Sequence, residues 1–137
     1  MDCESRREGR GLKRVASSLL LLFAVGCLAP FEPANAVEFA PPSVYLELWK
    51  EVEACSGVSG DFQLLHWFVV LGSDDQFSCP QHAGSCGGWW ESPHEIYLAE
   101  PEVSNAATHY RTVRHEMLHD LLQTGKHPAA FDACGLR

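Results

Sequence analysis

The segment spanning residues 104–124 constrains the fold most, because it is a long stretch with helical spacing. Ser104 or Asn105 is a suitable N-cap, and Gly125 follows where a glycine commonly ends a helix. The predicted helix carries the sequence His-Glu-Met-Leu-His at residues 115–119. Residues four positions apart emerge on one face of a helix about a turn apart, so the two histidines are placed to act together.

The paired histidines indicate a metal site. Imidazole groups at this spacing suit two corners of a tetrahedral zinc site. Glu116 lies about 100° around the helix from His115, close enough to hold a water molecule at the metal without being a ligand. The pattern resembles the H-E-x-x-H motif of zinc metallopeptidases. The resemblance implies one zinc ion and hydrolysis of a peptide or similar bond by activated water, with Glu116 as general base.

The residues after His119 limit the choice of a third ligand. Leu122 and Gly125 stand where a metzincin has glycine and histidine, and no glutamate follows Glu116 to serve as in a gluzincin. His127 is the favoured ligand, because Gly125 can reverse the chain after the helix and return it to the metal. Asp132 stays open as the alternative.

Residues 115–131 also resemble the minimal metallopeptidases of the SprT-like and WLM types. In those families H-E-x-x-H is followed by a loop, a third histidine and an aromatic residue four positions later, which correspond here to His127 and Phe131. The resemblance implies a small zincin fold with zinc held by His115, His119 and His127. The DNA-linked role of some of those families is not expected in an exported, acidic chain.

The N-terminus has the layout of an export signal over residues 1–26. A basic region is followed by an apolar run over residues 15–25, which is about half the ~20 residues needed to span a bilayer. Ala24-Val25-Gly26-Cys27 resembles a bacterial lipobox, which implies a lipid on Cys27 and an anchored cell-envelope protein. The alternative is cleavage after Ala36, since Ala34-Asn35-Ala36 resembles an A-x-A site, and this would release a soluble periplasmic or secreted protein.

The charge of the mature chain argues against nucleic-acid binding. Cleavage before Cys27 removes five of the ten basic residues and three of the eighteen acidic ones, leaving five against fifteen. Such a chain lacks the basic cluster that neutralises phosphates, and an anionic membrane surface should repel it. We therefore expect a peptide or protein substrate and membrane contact through the lipid alone. The five remaining basic residues are Lys50, Arg111, Arg114, Lys126 and Arg137.

Four cysteines remain after Cys27, an even number that predicts two disulfides in an exported chain. The favoured pairs are Cys79–Cys86, closing a short glycine-rich loop, and Cys55–Cys134, joining the first helix to the C-terminus. The alternative is a second metal site formed by Cys79, His82 and Cys86.

The rest of the pattern predicts an α+β domain over residues 43–137, preceded by a Pro- and Ala-rich tether over residues 27–42. Its predicted elements are an N-terminal helix from Ser43 to Gly57, a central strand over 62–71, short strands over 89–91 and 95–99, the long helix, and a C-terminal turn. The sheet should be small and mainly antiparallel. Arg114 falls within the apolar arc of the long helix and should need an acidic partner such as Asp132.

Two functions are compatible with these features. The favoured one is a small envelope metallopeptidase of the zincin type. The alternative is a zinc-binding envelope lipoprotein without turnover, whose H-E-x-x-H site is structural or vestigial. Glu116 separates the two, because a purely structural site has no need of a carboxylate beside the metal.

Overall fold

A computed structural model describes residues 33–80 and 83–137. The predicted export signal and the predicted lipidation at Cys27 lie outside these residues. The described chain confirms the α+β class. Its helices are α1 (Val44–Ser56), α2 (Arg111–Leu122) and α3 (Ala130–Ala133), and its strands are β1 (Ala36–Glu38), β2 (His66–Val70), β3 (Phe77–Ser78), β4 (Ser85–Cys86), β5 (Gly88–Glu91) and β6 (Glu95–Ala99).

The strands form a four-stranded sheet in the order β1-β2-β6-β5 and a two-stranded sheet of β3 and β4. β1 pairs antiparallel with β2, β2 runs parallel to β6, and β6 pairs antiparallel with β5. The sheet is therefore mainly antiparallel, as predicted. β2 and β6 occupy the centre because both carry apolar residues on both faces, which suits strands that are covered on both sides.

Helices α1 and α2 pack on one face of the sheet. Ile96 and Leu98 of β6 point into the core on this side, while Tyr97 and Ala99 face a second cluster with Phe77. This alternation is the two-residue period of a strand. The main core consists of Tyr45, Leu48, Trp49, Val52, Leu65, Trp67, Trp90, Ile96, Leu98, Val113, Met117, Leu118, Leu121, Phe131 and Leu136.

The first helix ends as predicted, and the central strand is shorter than predicted. Gly57 adopts the left-handed conformation (φ 71°) and its N–H bonds to Glu53, which ends α1. The strand predicted over residues 62–71 begins only at His66. Residues Phe62–Leu64 form a 3₁₀ turn instead, because the Asp61 carboxylate accepts a hydrogen bond from the N–H of Gln63.

The predicted start and end of the long helix were wrong. Residues Glu100–Ser104 and Ala106–Thr108 form 3₁₀ turns, and α2 begins only at Arg111. His109 and Tyr110 both have φ of 50°, a left-handed conformation that separates the turns from the helix. At the other end Gln123, rather than Gly125, adopts the left-handed conformation and terminates the helix.

The folded domain also begins earlier than predicted. Residues 36–38, placed in the tether by the sequence, pair as β1 with residues 68–70, and the N–H of Leu71 bonds to Asn35. Cleavage after Ala36, the alternative processing site, would cut within this strand.

Both predicted disulfides are confirmed. Cys55 bonds Cys134 with the Cα atoms 5.3 Å apart, and Cys79 bonds Cys86 with the Cα atoms 5.4 Å apart. The alternative metal site on Cys79 and Cys86 is wrong, because both sulfurs are used in the bridge. The bridges indicate an oxidising environment. Within the described parts of the chain, no helix combines the length and apolar character needed to cross a membrane.

We predict that the two bridges contribute unequally to stability. Replacing Cys55 and Cys134 by alanine should lower the free energy of unfolding by about 2–5 kcal/mol. The Cys79–Cys86 pair closes a loop of sequence separation 7 rather than 79, so its loss should cost about 2 kcal/mol less by chain entropy. Urea unfolding of the two double variants measures this difference. Equal losses would show that the long bridge does not act through chain entropy.

Candidate metal centre

Three histidines converge beside α2, as predicted. His115 and His119 lie one turn apart on the helix, and His127 follows the turn that ends it. The Nε2 atom of His115 is 3.1 Å from that of His119 and 3.0 Å from that of His127. One nitrogen from each residue falls within 4.8 Å of the others, so this group can hold a metal ion.

The orientation of two of these rings is fixed by backbone carbonyls. Nδ1 of His115 donates to Leu136 O at 2.6 Å, and Nδ1 of His119 donates to Thr124 O at 2.6 Å. A carbonyl oxygen can only accept, so each neutral ring carries its proton on Nδ1 and a lone pair on Nε2. Metal-bound histidines are commonly oriented in this way by their second nitrogen.

The two lone pairs of His115 and His119 therefore face each other across 3.1 Å. Neither atom has a proton to share, so the pair repels unless a cation lies between them. Two nitrogens bound tetrahedrally to zinc at 2.0–2.1 Å would be about 3.3 Å apart, close to the observed spacing. The donor set thus fits a metal ion.

Burial keeps these rings neutral. It lowers the pKa of His119 to about 4, although the hydrogen bond to Thr124 partly opposes the shift. Burial likewise lowers the pKa of His115, which is opposed by the hydrogen bond to Leu136. A neutral imidazole is the form that binds a metal ion, so these rings are in the metal-binding form near neutral pH.

The third histidine is brought back by the turn after α2. Gln123 reverses the chain, and the N–H of Lys126 bonds to the Thr124 hydroxyl at 3.2 Å. Phe131, fully buried at the start of α3, then contacts all three imidazoles. Its ring centroid lies 4.7–4.9 Å from those of His115, His119 and His127. The aromatic residue four positions after His127 is therefore the apolar base of the site.

Asp132, the alternative ligand, is not part of this group. Its carboxylate accepts a hydrogen bond from Arg137 at 2.7 Å, and its side chain is 52 % exposed. The suggested pairing of Arg114 with Asp132 was wrong. Arg114 lies instead 3.8 Å from a carboxylate oxygen of Glu51 on α1.

The side chain of Glu116 extends from α2 toward β5, and this residue is only 5 % exposed. The backbone N–H of Trp90 donates to its carboxylate, while burial raises its pKa to about 8. The close approach of the Glu116 side chain to β5 requires a glycine at position 88. A Cβ atom there would lie 2.8 Å from Oε1 of Glu116 and 2.7 Å from the Thr112 methyl group.

Glu116 and His115 stand between two halves of one cleft. On one side is a cavity of about 190 Å³ lined by His119, His127 and the two tryptophans of β5. On the other side is a cavity of about 240 Å³ lined by Arg111, Thr112, Leu136 and Arg137. Glu116 and His115 therefore line both halves, whereas His119 and His127 line only the first.

A network around Asp120 was missed by sequence reasoning. Asp120 is 4 % exposed and accepts hydrogen bonds from Nε1 of Trp90 and from Nδ1 of His94, each at 3.0 Å. The Trp90 ring in turn stacks on His119, with centroids 6.3 Å apart and planes 16° from parallel. The network therefore holds the Trp90 ring against His119, one of the three clustered histidines. The residues are 26 and 30 positions apart, and no spacing pattern signals such a contact.

Comparison with known proteins finds no protein family, no curated protein and no solved structure that matches this chain.

We predict that His127 contributes to metal binding and that Asp132 does not. His127→Ala should weaken zinc binding by at least about 100-fold, because it removes one of three converging nitrogens. Asp132→Ala should bind zinc as tightly as wild type, because its carboxylate is occupied by Arg137. Competition titration against a zinc chelator measures both affinities. The opposite ranking would make Asp132 the third ligand.

We also predict that Gly88 is specifically required for the position of Glu116. Gly88→Ala should lower the free energy of unfolding by about 1–3 kcal/mol and displace the carboxylate from the Trp90 N–H. Gly87→Ala is the matched control, since a Cβ atom there meets nothing closer than 3.6 Å. Denaturant unfolding and the NMR shift of the Trp90 amide test this. Equal effects of the two substitutions would contradict it.

Proposed function

We propose that this protein is a zinc-dependent hydrolase that cleaves peptide or similar bonds. The observation that carries the proposal is the convergence of three imidazole nitrogens beside a buried carboxylate that is not itself a ligand. Glu116 also accepts a hydrogen bond from the Trp90 N–H, but a metal ion could be held by the three histidines alone, so holding the metal does not require this carboxylate. The resemblance of residues 115–131 to minimal zincin-type peptidases supports the same assignment.

Zinc is the metal we propose for the site. Three imidazoles and an open fourth position are typical of catalytic zinc, whereas structural zinc is commonly enclosed by four protein ligands. In the described chain the cysteines that could complete a four-ligand site are all in disulfides. A bound zinc ion supplies Lewis acidity, which makes water easier to deprotonate and a carbonyl carbon easier to attack.

The residues of the chain then perform the proton transfers. A cation bound to the three histidines would favour the ionised form of Glu116, against the effect of burial. In that form Glu116 accepts a proton from the attacking water at a carboxylate oxygen and returns it to the leaving amine. The Trp90 N–H donates a hydrogen bond to the Glu116 carboxylate and so fixes it against β5. His115 and His119 stay in one tautomer through their carbonyl partners, so their Nε2 atoms are not used as proton carriers.

The position of β5 favours an extended peptide as substrate. β5 lies at one edge of the four-stranded sheet. The N–H of Ala99 bonds to Gly87 O, so by alternation the backbone groups of Gly88 and Trp90 point away from β6 and toward the cleft. The Trp90 N–H is bonded to Glu116, which leaves the backbone groups of Gly88 and the carbonyl of Trp90 on this edge to pair with an extended chain. A peptide paired there would lie beside Glu116.

We further propose that the enzyme acts in the bacterial cell envelope, anchored through a lipid on Cys27. The disulfides support an oxidising compartment, and the acidic domain supports a lipid rather than direct electrostatic contact as the tether. Its substrates in this proposal are exported peptides or proteins.

The decisive experiment is the substitution Glu116→Gln. The amide is nearly isosteric and the residue is not a ligand, so zinc content and unfolding temperature should stay close to wild type. Hydrolysis should fall by about 10²–10⁴, because the attacking water loses its proton acceptor. Cleavage of a mixed peptide library by the zinc-loaded proteins is read by mass spectrometry. Glu47→Gln, an exposed substitution on α1, is the matched control and should keep full activity.

Each other result argues for a different function. Equal cleavage by wild type and Glu116→Gln would show that the activity comes from another residue or another protein. No cleavage by either, with zinc fully bound, would favour the zinc-binding envelope module without turnover.

A further inference from the structure

The half of the cleft next to β4 and the start of α2 has a distinct charge. Its lining includes two guanidinium groups, those of Arg111 and Arg137, and its one acidic side chain is that of Glu116. Only five basic residues follow Cys27, against fifteen acidic ones. Two of the five therefore line the same cavity, beside the candidate metal site, in a domain that is otherwise acidic.

Arg111 is the better placed of the two arginines. It lies four residues before His115, and so about 6 Å along the same face of α2. One of its terminal nitrogens donates to a main-chain oxygen of Arg137. A guanidinium has five N–H donors in a planar fork, so this bond anchors the side chain and leaves donors for a ligand.

Arg137 has a different role in the same cavity. Its guanidinium donates to Asp132 at 2.7 Å and to the carbonyl of His127 at 3.2 Å. Its charge is therefore largely balanced, whereas no aspartate or glutamate pairs with Arg111 among the described hydrogen bonds and ion pairs. The opposite half of the cleft, lined by Trp89 and Trp90, contains no arginine.

We propose that Arg111 binds a carboxylate of the substrate, one or two residues from the bond that is cleaved. An extended peptide advances about 3.3–3.6 Å per residue, so the separation of about 6 Å between Arg111 and His115 along α2 corresponds to one or two residues. The substrates are then peptides that carry a free C-terminal carboxylate or an acidic side chain close to the cleaved bond. The position of the substrate carboxylate relative to the cleaved bond depends on the proposed hydrolase function, but the binding of a carboxylate by Arg111 does not.

Binding of small probes tests the site without turnover. One pair is N-acetyl-Ala-Ala with a free carboxylate and with a C-terminal amide. The other pair is N-acetyl-Glu-Ala-amide and N-acetyl-Gln-Ala-amide. NMR titration of the ¹⁵N-labelled protein, with and without added zinc, gives each affinity. In the zinc-free titrations a preference for the carboxylate cannot come from coordination to the metal.

Wild type should bind the charged member of at least one pair at least about fivefold more tightly, as expected for a charge-assisted hydrogen bond at a partly exposed site. Preference within the first pair identifies a C-terminal carboxylate, and preference within the second pair an acidic side chain. Arg111→Gln should abolish the preference. Arg111→Lys should keep part of it, because lysine retains the charge but not the fork. Lys50→Gln, on the exposed side of α1, should keep all of it.

The ratio between the two members of a pair is the informative readout. Arg111 also contacts the backbone next to Leu136, so its loss could weaken binding in general, but that would lower both affinities together. An unchanged ratio in Arg111→Gln, or no preference in wild type, would overturn the proposal. A carboxylate preference without any peptide cleavage would support the site while contradicting the hydrolase function.

Discussion

Two hydrogen bonds from imidazole Nδ1 atoms to backbone carbonyls connect the candidate metal ligands to the end of the chain. His119 is held by Thr124, at the turn that returns the chain toward the metal site, and His115 is held by Leu136, beyond α3. These bonds select the tautomer that exposes the Nε2 lone pairs, and they depend on a C-terminal segment that is itself packed in the core through Phe131 and Leu136. The arrangement of these imidazoles is therefore not a property of the helix alone. It requires the last fifteen residues to be folded against it.

The second requirement is a close contact between α2 and the edge of the sheet. Glu116 can reach the Trp90 N–H only because position 88 has no side chain. The Asp120 carboxylate repeats this arrangement one turn later by binding the Trp90 indole. A helix carrying two buried carboxylates is thus held against a strand by N–H groups of one residue. The two carboxylates can be buried between α2 and β5 because each accepts a hydrogen bond from Trp90.

Local patterns predicted what depends on local spacing. The histidine pair on α2, the end of α1 at Gly57 and the Cys79–Cys86 bridge follow from short-range signals, and Cys55 and Cys134 were then left as the second pair. The choice of His127 also follows from a local signal, the turn that must reverse the chain. The start of α2 did not follow, because two consecutive residues adopt a left-handed conformation that neither favours by itself. β1 was also missed, since a three-residue strand has no period of its own and is defined by its partner β2. The contacts of Asp120 and the two-sided cleft depend on residues far apart in sequence, and single-sequence reasoning has no measure of such distances.

The position of Cys134 makes the histidine cluster sensitive to a bridge that lies outside it. Cys134 lies between Phe131, which supports the three imidazoles, and Leu136, which orients His115, and its bridge to Cys55 fastens this segment to α1. Without the bridge the segment would be retained by packing alone, and the three imidazoles would be correspondingly less well ordered. A reductant should therefore loosen the histidine cluster, although no cysteine belongs to it.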